Sequence, residues 1–328
     1  MTTISCCAEC GEEGGASLKV CKACMQIRYC NAKCQRNHWS NHKKDCKRRA
    51  AELRDKALFK DPPDKEDCPI CFLPMTKNLV HCVSLPPATI SSVPIYDYAE
   101  ANEALVGKAM EIYYPCCGKT ICKGCVHSFH VTGNIGKCPF CNSYRGSSTD
   151  EEMNEEIMRR VEANDPNSIY MLSNSYYRGS GGLQQDRTKA VELMTKAAEL
   201  GCSIAHYNLG RHYDEGGDLK KAKFHYEAAA MAGHEDARYK LGEIEHESGN
   251  MERAIRHWAI AASAGDCEAM HTLITIFNKA LGGWFGRELF DSILTSYNNS
   301  CAEMRSEARD AFVRMYIDCI AELEKNEI

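Results

Sequence analysis

Paired cysteines dominate the first half of this chain and restrict what it can fold into. Of 21 cysteines in 328 residues, 17 lie within residues 1–150. The N-terminus has no basic start followed by an apolar run, so we expect no secretory signal, and no apolar stretch is long enough to span a bilayer. Closely spaced cysteines in a reducing compartment bind metal more often than they form disulfides. The sequence therefore predicts a metal-binding protein that is cytoplasmic or nuclear, not secreted and not in a membrane.

Charge is unevenly distributed along the chain. Residues 1–60 contain 13 Lys/Arg and 6 Asp/Glu, a local charge of +7, whereas the whole chain carries −5. We interpret this difference as a sign of separate modules. The net negative charge makes nucleic acid an unlikely partner. The basic stretch at residues 43–60 favours a solvated helix face, with a nuclear localisation signal or a nucleic-acid patch as the alternatives.

The first forty-six residues contain four pairs of candidate metal ligands. The pairs are Cys7 and Cys10, Cys21 and Cys24, Cys30 and Cys34, and His42 and Cys46. Eight ligands are enough for two tetrahedral zinc sites, and a Cys-x2-Cys turn lets two thiolates converge about 2.3 Å from one ion. Residues four apart share a helix face, which suits the last two pairs. His38 has the same spacing from Cys34, so spacing alone leaves it as a competing ligand.

This pattern resembles the MYND zinc finger over residues 7–46. The residues that carry the resemblance are the two Cys-x2-Cys pairs followed by Tyr29, Cys30, Cys34, Gln35, Trp39, His42, Lys43 and Cys46. The resemblance implies an interleaved pair of zinc sites, one with Cys7, Cys10, Cys30 and Cys34, the other with Cys21, Cys24, His42 and Cys46. Cys6 and His38 would then be bystanders. Closed four-ligand sites are structural rather than catalytic, and each ion supplies folding energy on the order of 10 kcal/mol.

The same resemblance implies a binding partner. MYND fingers typically take short proline-containing peptides, and Gln35 and Trp39 occupy the positions expected to contact one. Trp39 has an equally simple interpretation as a packing residue in a miniature core.

A second group of eight cysteines follows the polar stretch DPPDKED at residues 61–67, which the two prolines mark as a linker. Its members are Cys68, Cys71, Cys116, Cys117, Cys122, Cys125, Cys138 and Cys141. In the RING finger, which this group resembles, the second pair is usually Cys-x-His. Counting from Cys117, that histidine position holds Lys119, so we assign the adjacent Cys116 and Cys117 as the pair. The fallback ligands are His81, Cys82, His127 and His130. The long insert between Cys71 and Cys116 is expected to contain a helix around residues 97–112.

The second group resembles a RING finger, whose first and third ligand pairs hold one zinc ion and whose second and fourth hold the other. RING fingers dock ubiquitin-conjugating enzymes and act by positioning, without reacting side chains of their own. Ile70 and Pro139 fill the positions that contact the conjugating enzyme in this family. The position after the last cysteine, often Arg or Lys, is Asn142 here, with Arg145 nearby.

From about residue 165 a repeat replaces the cysteines. Gly201, Gly233 and Gly265 are 32 residues apart, and so are Leu209, Leu241 and Leu273. Such a period indicates stacked helix pairs, with each glycine closing a second helix through a positive φ. The pattern resembles SEL1-like repeats, relatives of tetratricopeptide repeats. Trp284 and Phe285 are expected to be core or cap residues, and Cys202, Cys267, Cys301 and Cys319 buried thiols.

The sequence thus predicts a mainly α protein: two small zinc-stabilised modules followed by an α-helical repeat solenoid. The expected domains are a MYND finger (1–50), a basic helix and linker (51–67), a RING-like finger with a long insert (68–145), SEL1-like repeats (165–280) and C-terminal capping helices (281–328). About four zinc ions are implied, two per finger. The leading functional hypothesis is a RING-type ubiquitin ligase or ligase subunit, whose MYND finger and repeats recruit proteins. The alternative is a non-catalytic zinc-dependent scaffold.

Overall fold

The computed structural model of the chain describes residues 6–14, 17–75, 111–143, 150–279, 286–304, 306–312 and 314–315. The contacts divide it into two compact units, Met1–Lys60 and Asp61–Ile328. The fallback ligands His81 and Cys82, the aromatic residues Trp284 and Phe285, and Cys319 lie outside the described residues, as does most of the helix expected at 97–112.

Unit one is built around its cysteines. Strands β1 (Lys19–Val20) and β2 (Arg28–Tyr29) form an antiparallel pair, followed by a long helix, α1 (Ala32–Leu58). Asn31 caps α1 by accepting a hydrogen bond from the Cys34 N–H at 3.0 Å. The buried core consists of Leu18, Tyr29 and the cysteines 7, 21, 24 and 46. A core of so few apolar side chains needs another source of folding energy, which a metal supplies.

Unit two begins with a small cysteine-rich module. Strands β3 (Glu111–Tyr114) and β4 (Lys119–Cys122) form an antiparallel hairpin that leads directly into helix α2 (Lys123–Val131). Residues 111 and 112, expected at the end of a helix, instead pair with β4, because Ile112 lies opposite Ile121 and packs against the module's core. We refer to residues 61–75 and 111–143 as the second module.

A stack of helices forms the rest of unit two. Its helices are α3 (Asp150–Glu162), α4 (Pro166–Arg178), α5 (Arg187–Glu199), α6 (Ser203–Glu215), α7 (Leu219–Met231), α8 (Glu235–Glu247), α9 (Met251–Ser263) and α10 (Cys267–Lys279). The most extensive contacts join α4 to α5, α6 to α7, and α8 to α9, and each pair then packs on the next. This solenoid-like stack confirms the predicted mainly α fold.

The sequence period has a direct structural cause. Gly201, Gly233 and Gly265 follow the second helix of each pair with φ of 93°, 83° and 96°, a region that favours glycine. Inside the first helices, Gly210 and Gly242 face the rings of Tyr226 and Trp258, also 32 residues apart. The absence of a Cβ at these glycines lets the two helices of a pair approach closely.

The C-terminal segment packs against the last helix pair. Helix α11 (Arg287–Glu303) buries Phe290, Ile293 and Tyr297 in the same core as Trp258 and Leu273. Residues 307–312 continue in helical conformation. Of the remaining cysteines, Cys202 is buried, and Cys267 and Cys301 are partly buried beside apolar cores. No helix in the described part of the chain is both long and apolar enough to cross a membrane.

Candidate metal centres

The Cys-x2-Cys pairs fold into a recurring backbone turn. In four of the five pairs the residue after the second cysteine has a positive φ, and its N–H donates to the carbonyl of the first cysteine at 2.8–2.9 Å. These residues are Gly11, Met25, Phe72 and Asn142. A left-handed conformation costs a non-glycine residue about 1–2 kcal/mol. The turn is kept nevertheless because it aims both thiols at one point.

The adjacent Cys116 and Cys117 lie in the same kind of turn, except that its first position is not a cysteine. Gly118 has φ of 65°, and its N–H donates to the Tyr114 carbonyl at 2.8 Å. Tyr114 therefore occupies the place of the first cysteine in the turn, and Cys117 the place of the second. Cys116, one residue earlier than Cys117, supplies the other thiol. This gives a physical reason why two neighbouring cysteines can act as a pair.

Sixteen side chains converge in four groups, each with its donor atoms within 4.8 Å of one another. Site one consists of Cys7, Cys10, Cys30 and Cys34, and site two of Cys21, Cys24, His42 and Cys46. Site three consists of Cys68, Cys71, Cys122 and Cys125, and site four of Cys116, Cys117, Cys138 and Cys141. In unit one, and again in the second module, the first and third ligand pairs meet in one site and the second and fourth pairs meet in the other.

The spacing of the sulfur atoms suits zinc. A tetrahedron with Zn–S bonds of about 2.3 Å has S···S edges of about 3.8 Å. The Sγ atoms lie 3.7 Å apart for Cys10 and Cys30, 3.7 Å for Cys21 and Cys46, 3.8 Å for Cys71 and Cys122, and 3.6 Å for Cys117 and Cys138. A disulfide would require about 2.05 Å. All the described cysteines are free thiols. The donor sets therefore fit four zinc ions, as expected for this chain.

The thiols of a site shift one another's pKa in opposite directions. A hydrogen bond with Cys122 lowers the pKa of Cys68 to about 4, and that interaction together with burial raises the pKa of Cys122. In unit one the backbone N–H of Cys10 lowers the pKa of Cys7 to about 6, whereas burial raises that of Cys46 to about 12. Crowded thiols cannot all ionise unless a cation compensates their charge. A dication that prefers thiolates is the group these sites suit.

The other candidate ligands among the described residues do not belong to any of the four groups. The His38 Nδ1 atom is 2.9 Å from the Tyr29 hydroxyl, and its ring stacks on His42 rather than joining a site. The Cys6 backbone forms an isolated bridge with Glu13, and Cys6 belongs to none of the four groups. In the second module Lys119 places its ammonium 4.4 Å from the Phe140 ring centroid. The His127 ring packs on Phe312, and His130 lies in the last turn of α2.

The predicted partner-binding residues keep accessible surface. Trp39 is 39% exposed and contacts His42 edge to face, so the described core does not enclose it. Gln35, one turn earlier on α1, is partly buried. In the second module Ile70 is 39% exposed and Pro139 is partly buried. Sequence reasoning missed Phe72, which is 75% exposed because the positive φ of its turn carries it away from the core.

Sequence reasoning also could not locate a groove on the helix stack. It has a volume of about 680 Å³ and lies among α8, α9 and α10. Met251, Trp258 and Ile276 supply apolar walls, and Glu243 and Glu247 supply carboxylates. Tyr239 also lines it. The groove combines residues from three helices, so no local pattern could have identified it.

Two family models match parts of the chain. Residues 7–46 match the MYND finger, and residues 166–202, 203–234 and 235–266 each match a Sel1 repeat. The chain therefore contains a MYND finger followed by three Sel1 repeats, the class of modules that the fold and sites define. Both are protein-interaction modules, and protein partners follow from them.

Among solved structures the chain is similar to a Sel1 repeat protein from Oxalobacter formigenes, with 21% identity over 56% of this chain and 72% of that one and a TM-score of 0.41. It is also similar to c5321, a protective antigen present in uropathogenic Escherichia coli strains that has an SLR fold. That match has 22% identity and a TM-score of 0.39, and it covers 57% of this chain and 38% of that chain. A third match, the immunity protein Pa5087 from Pseudomonas aeruginosa, has 18% identity over 55% and 83% and a TM-score of 0.30.

Proposed function

We propose that this protein is a RING-type ubiquitin ligase or ligase subunit in which the second module docks a ubiquitin-conjugating enzyme. The observation that carries this proposal is the interleaving of its four ligand pairs into two sites, combined with an exposed apolar side chain, Ile70, within the first pair. Pro139 within the last pair and Phe72 beside Ile70 would extend the docking surface. The free thiols of these turns suit a reducing compartment, the cytoplasm or the nucleus.

Catalysis in this proposal is positional. Each zinc ion, when bound, fixes the turns that carry Ile70 and Pro139, and four protein ligands leave it no open position for chemistry. The side chains of this protein would hold the conjugating enzyme so that its ubiquitin thioester faces a substrate lysine. When ubiquitin passes to a substrate lysine in this way, the described side chains of this protein would position the reactants and take no part in the bond changes.

The other modules would recruit proteins to that reaction. At the MYND finger, the exposed face of Trp39 and the neighbouring Gln35 suit a proline-containing peptide. On the repeats, the groove beside Trp258 has apolar walls and two carboxylates, Glu243 and Glu247. That chemistry suits a peptide segment with an apolar side chain next to a basic one. The MYND finger (1–50) and the repeats (165–280) would thus serve as separate recruitment modules.

One observation favours a second candidate, a zinc-dependent scaffold without ligase activity. Asn142 follows the last cysteine with φ of 57°, where RING ligases often carry an Arg or Lys that contacts ubiquitin. Asn tolerates the left-handed region better than other non-glycine residues. This turn therefore has a residue suited to its backbone rather than one suited to contacting ubiquitin.

An autoubiquitination assay over a panel of conjugating enzymes tests the proposal. The full-length zinc-loaded protein should build ubiquitin chains with at least one enzyme, and Ile70→Ala should abolish them. Ile135→Ala is the matched control, because Ile135 is 71% exposed in the same module but lies outside the cysteine pairs. Asn142→Arg should increase chain formation by supplying the missing cation.

A protein with four zinc ions that forms no chains with any enzyme, even with Asn142→Arg, would reject the ligase in favour of the scaffold. Chain formation that Ile70→Ala and Ile135→Ala change equally would instead reject Ile70 as the contact that docks the conjugating enzyme.

A further inference from the structure

A single arginine joins the C-terminal segment to a metal site in the second module. Arg309 is completely buried. Its Nη1 donates to the carbonyls of Pro74 at 2.9 Å and Met304 at 2.6 Å. Its Nη2 donates to the Leu73 carbonyl at 3.3 Å and lies 3.8 Å from the Cys71 thiol. The guanidinium thus contacts both a ligand of site three and the backbone that follows it.

Helix α2, which carries the ligand Cys125 and is capped by the ligand Cys122, is shaped to accept this segment. A Cβ added to Gly124 on α2 would lie 2.7 Å from the Arg309 backbone nitrogen, closer than packed atoms allow. Gly124 lies between the ligands Cys122 and Cys125. One turn further, the Phe312 ring packs on His127 at 6.1 Å between centroids. The segment at 306–312 therefore lies directly against α2.

We propose that Arg309 is a positioning residue for zinc in site three, and that it couples occupancy of that site to docking of residues 306–312 on α2. A zinc ion with four thiolates carries a net charge of about −2, and a buried guanidinium beside it compensates part of that charge. Hydrogen bonds to the surroundings of a metal ligand fix its orientation, and losing them typically costs 10–100-fold in metal affinity. In turn, emptying the site reduces the negative charge beside the buried guanidinium, which disfavours docking.

A second arginine holds the backbone at site four. Arg160 on α3 donates from Nε to the Pro115 carbonyl at 2.9 Å and from Nη2 to the Cys116 carbonyl at 3.5 Å. The Tyr113 hydroxyl lies 3.0 Å from the Ser168 hydroxyl on α4. Site four is thus held from the first helices of the stack, and site three from the segment that follows α11. Because Arg309 contacts site three and Arg160 contacts site four, the effects of the two arginines can be measured separately.

Zinc release from the full-length protein tests the proposal. We would load wild type, Arg309→Met and Arg314→Met with zinc, count ions by native mass spectrometry and follow transfer to the chromogenic chelator 4-(2-pyridylazo)resorcinol. Arg314 is the matched control because it is exposed and five residues further along. In Arg309→Met one ion of four should bind about 10–100-fold more weakly. The other three ions, and all four in Arg314→Met, should behave as in wild type.

A cobalt(II) spectrum distinguishes positioning from simple packing. Arg309→Met should alter the thiolate-to-cobalt charge-transfer band of one site, and Arg309→Lys should restore part of the wild-type spectrum. If Arg309→Met lowers thermal stability but leaves zinc release and the cobalt spectrum unchanged, Arg309 is only a packing residue and the proposal is wrong.

Wild-type protein provides a test that does not depend on the variant folding. Hydrogen exchange measured by mass spectrometry should show residues 306–312 protected with four zinc ions bound and losing that protection as the ions of the second module are removed. Protection that persists in the zinc-free protein would overturn the coupling.

Discussion

Single residues decide which thiols form each site, and the adjacent pair at site four is the sharpest case. Cys117→Ser should lower the zinc content by about one ion, because Cys117 occupies the second-cysteine place of its turn and lies 3.6 Å from Cys138. Native mass spectrometry would count the ions, and Cys6→Ser, outside the four groups, serves as the control. Four ions in Cys117→Ser would shift the role to one of the fallback ligands.

A pair of histidines predicts a pH effect within the repeats. The Nδ1 atoms of His206 and His225 are 3.0 Å apart, and partial burial lowers the pKa of His225 to about 4. Since an unfolded histidine titrates near pH 6.5, the unfolded chain takes up protons first. The contribution of neutral His225 to stability is therefore complete above about pH 6.5 and is lost as pH falls toward 4.

Comparing variants with wild type at two pH values isolates the contribution of His225. Urea unfolding at pH 7 and pH 5 should show a smaller loss of stability for His225→Gln than for wild type, whereas the exposed control His212→Gln should follow wild type. Acid also protonates metal ligands, but the comparison with wild type cancels that contribution. A His225 ring resonance that titrates near pH 6.5 in the folded protein would contradict the prediction.

The residue scale also shows what local spacing can and cannot predict. Sequence spacing predicted that Cys7 and Cys10 share a metal site, because a Cys-x2-Cys turn is a local structure. It could not choose between His38 and His42, since both lie one helical turn from their neighbours. The choice follows from the Tyr29 hydroxyl, which contacts His38 from β2. No pattern in the sequence indicated a role for Arg309, because its contacts with residues 73 and 74 span more than two hundred positions.

At the scale of the elements, close packing within a helix pair depends on a glycine facing an aromatic ring. A Cβ at Gly242 would lie 2.4 Å from the Trp258 ring nitrogen. Replacing a helical glycine by alanine gains about 1 kcal/mol in helix propensity, whereas overpacking a core costs about 1–3 kcal/mol. We expect Gly242→Ala to destabilise the repeats by about 1 kcal/mol net, measured by urea unfolding.

The first repeat suggests the rescue for that variant. At the positions of Gly242 and Trp258 it carries the buried Ser173 and Met194. The double variant Gly242→Ala/Trp258→Met should therefore recover part of the stability lost by Gly242→Ala. Gly286→Ala is the control, because a Cβ there meets open space. If Gly242→Ala is more stable than wild type, helix propensity outweighs packing and the argument fails.

The elements were predictable where the repeat itself encodes them. The 32-residue period predicted the stacked pairs, and the glycines with positive φ lie after the second helices as expected. The strand at residues 111–114 was not predictable from local preference, since its first residues continue a helix-like pattern. Pairing with β4 decides their conformation, and that pairing is a tertiary effect.

At the scale of the whole molecule, the linker and the second module are bound to the helix stack within unit two. Lys65 forms an ion pair with Glu235 at 2.5 Å and donates to the Ala264 carbonyl at 2.7 Å. A Cβ at Gly233 would touch the Pro63 ring at 3.3 Å. From sequence alone, zinc removal should unfold residues 1–145 and leave the repeats largely intact. These contacts predict in addition that the parts of the stack they touch become less protected when the second module unfolds.

We therefore expect chelation to act in a graded way on unit two. Removing all zinc should abolish amide protection in residues 68–75 and 111–143, while α4–α9 stay folded because their own cores remain. Protection in α3, around Glu235 and in residues 306–312 should fall, since the contacts made by Arg160, Lys65 and Arg309 are lost. Hydrogen exchange measured segment by segment, before and after chelation, distinguishes the possibilities. Unchanged protection at all three places would mean that the repeats stand alone, and simultaneous loss throughout α4–α9 would mean that the stack has no stability of its own.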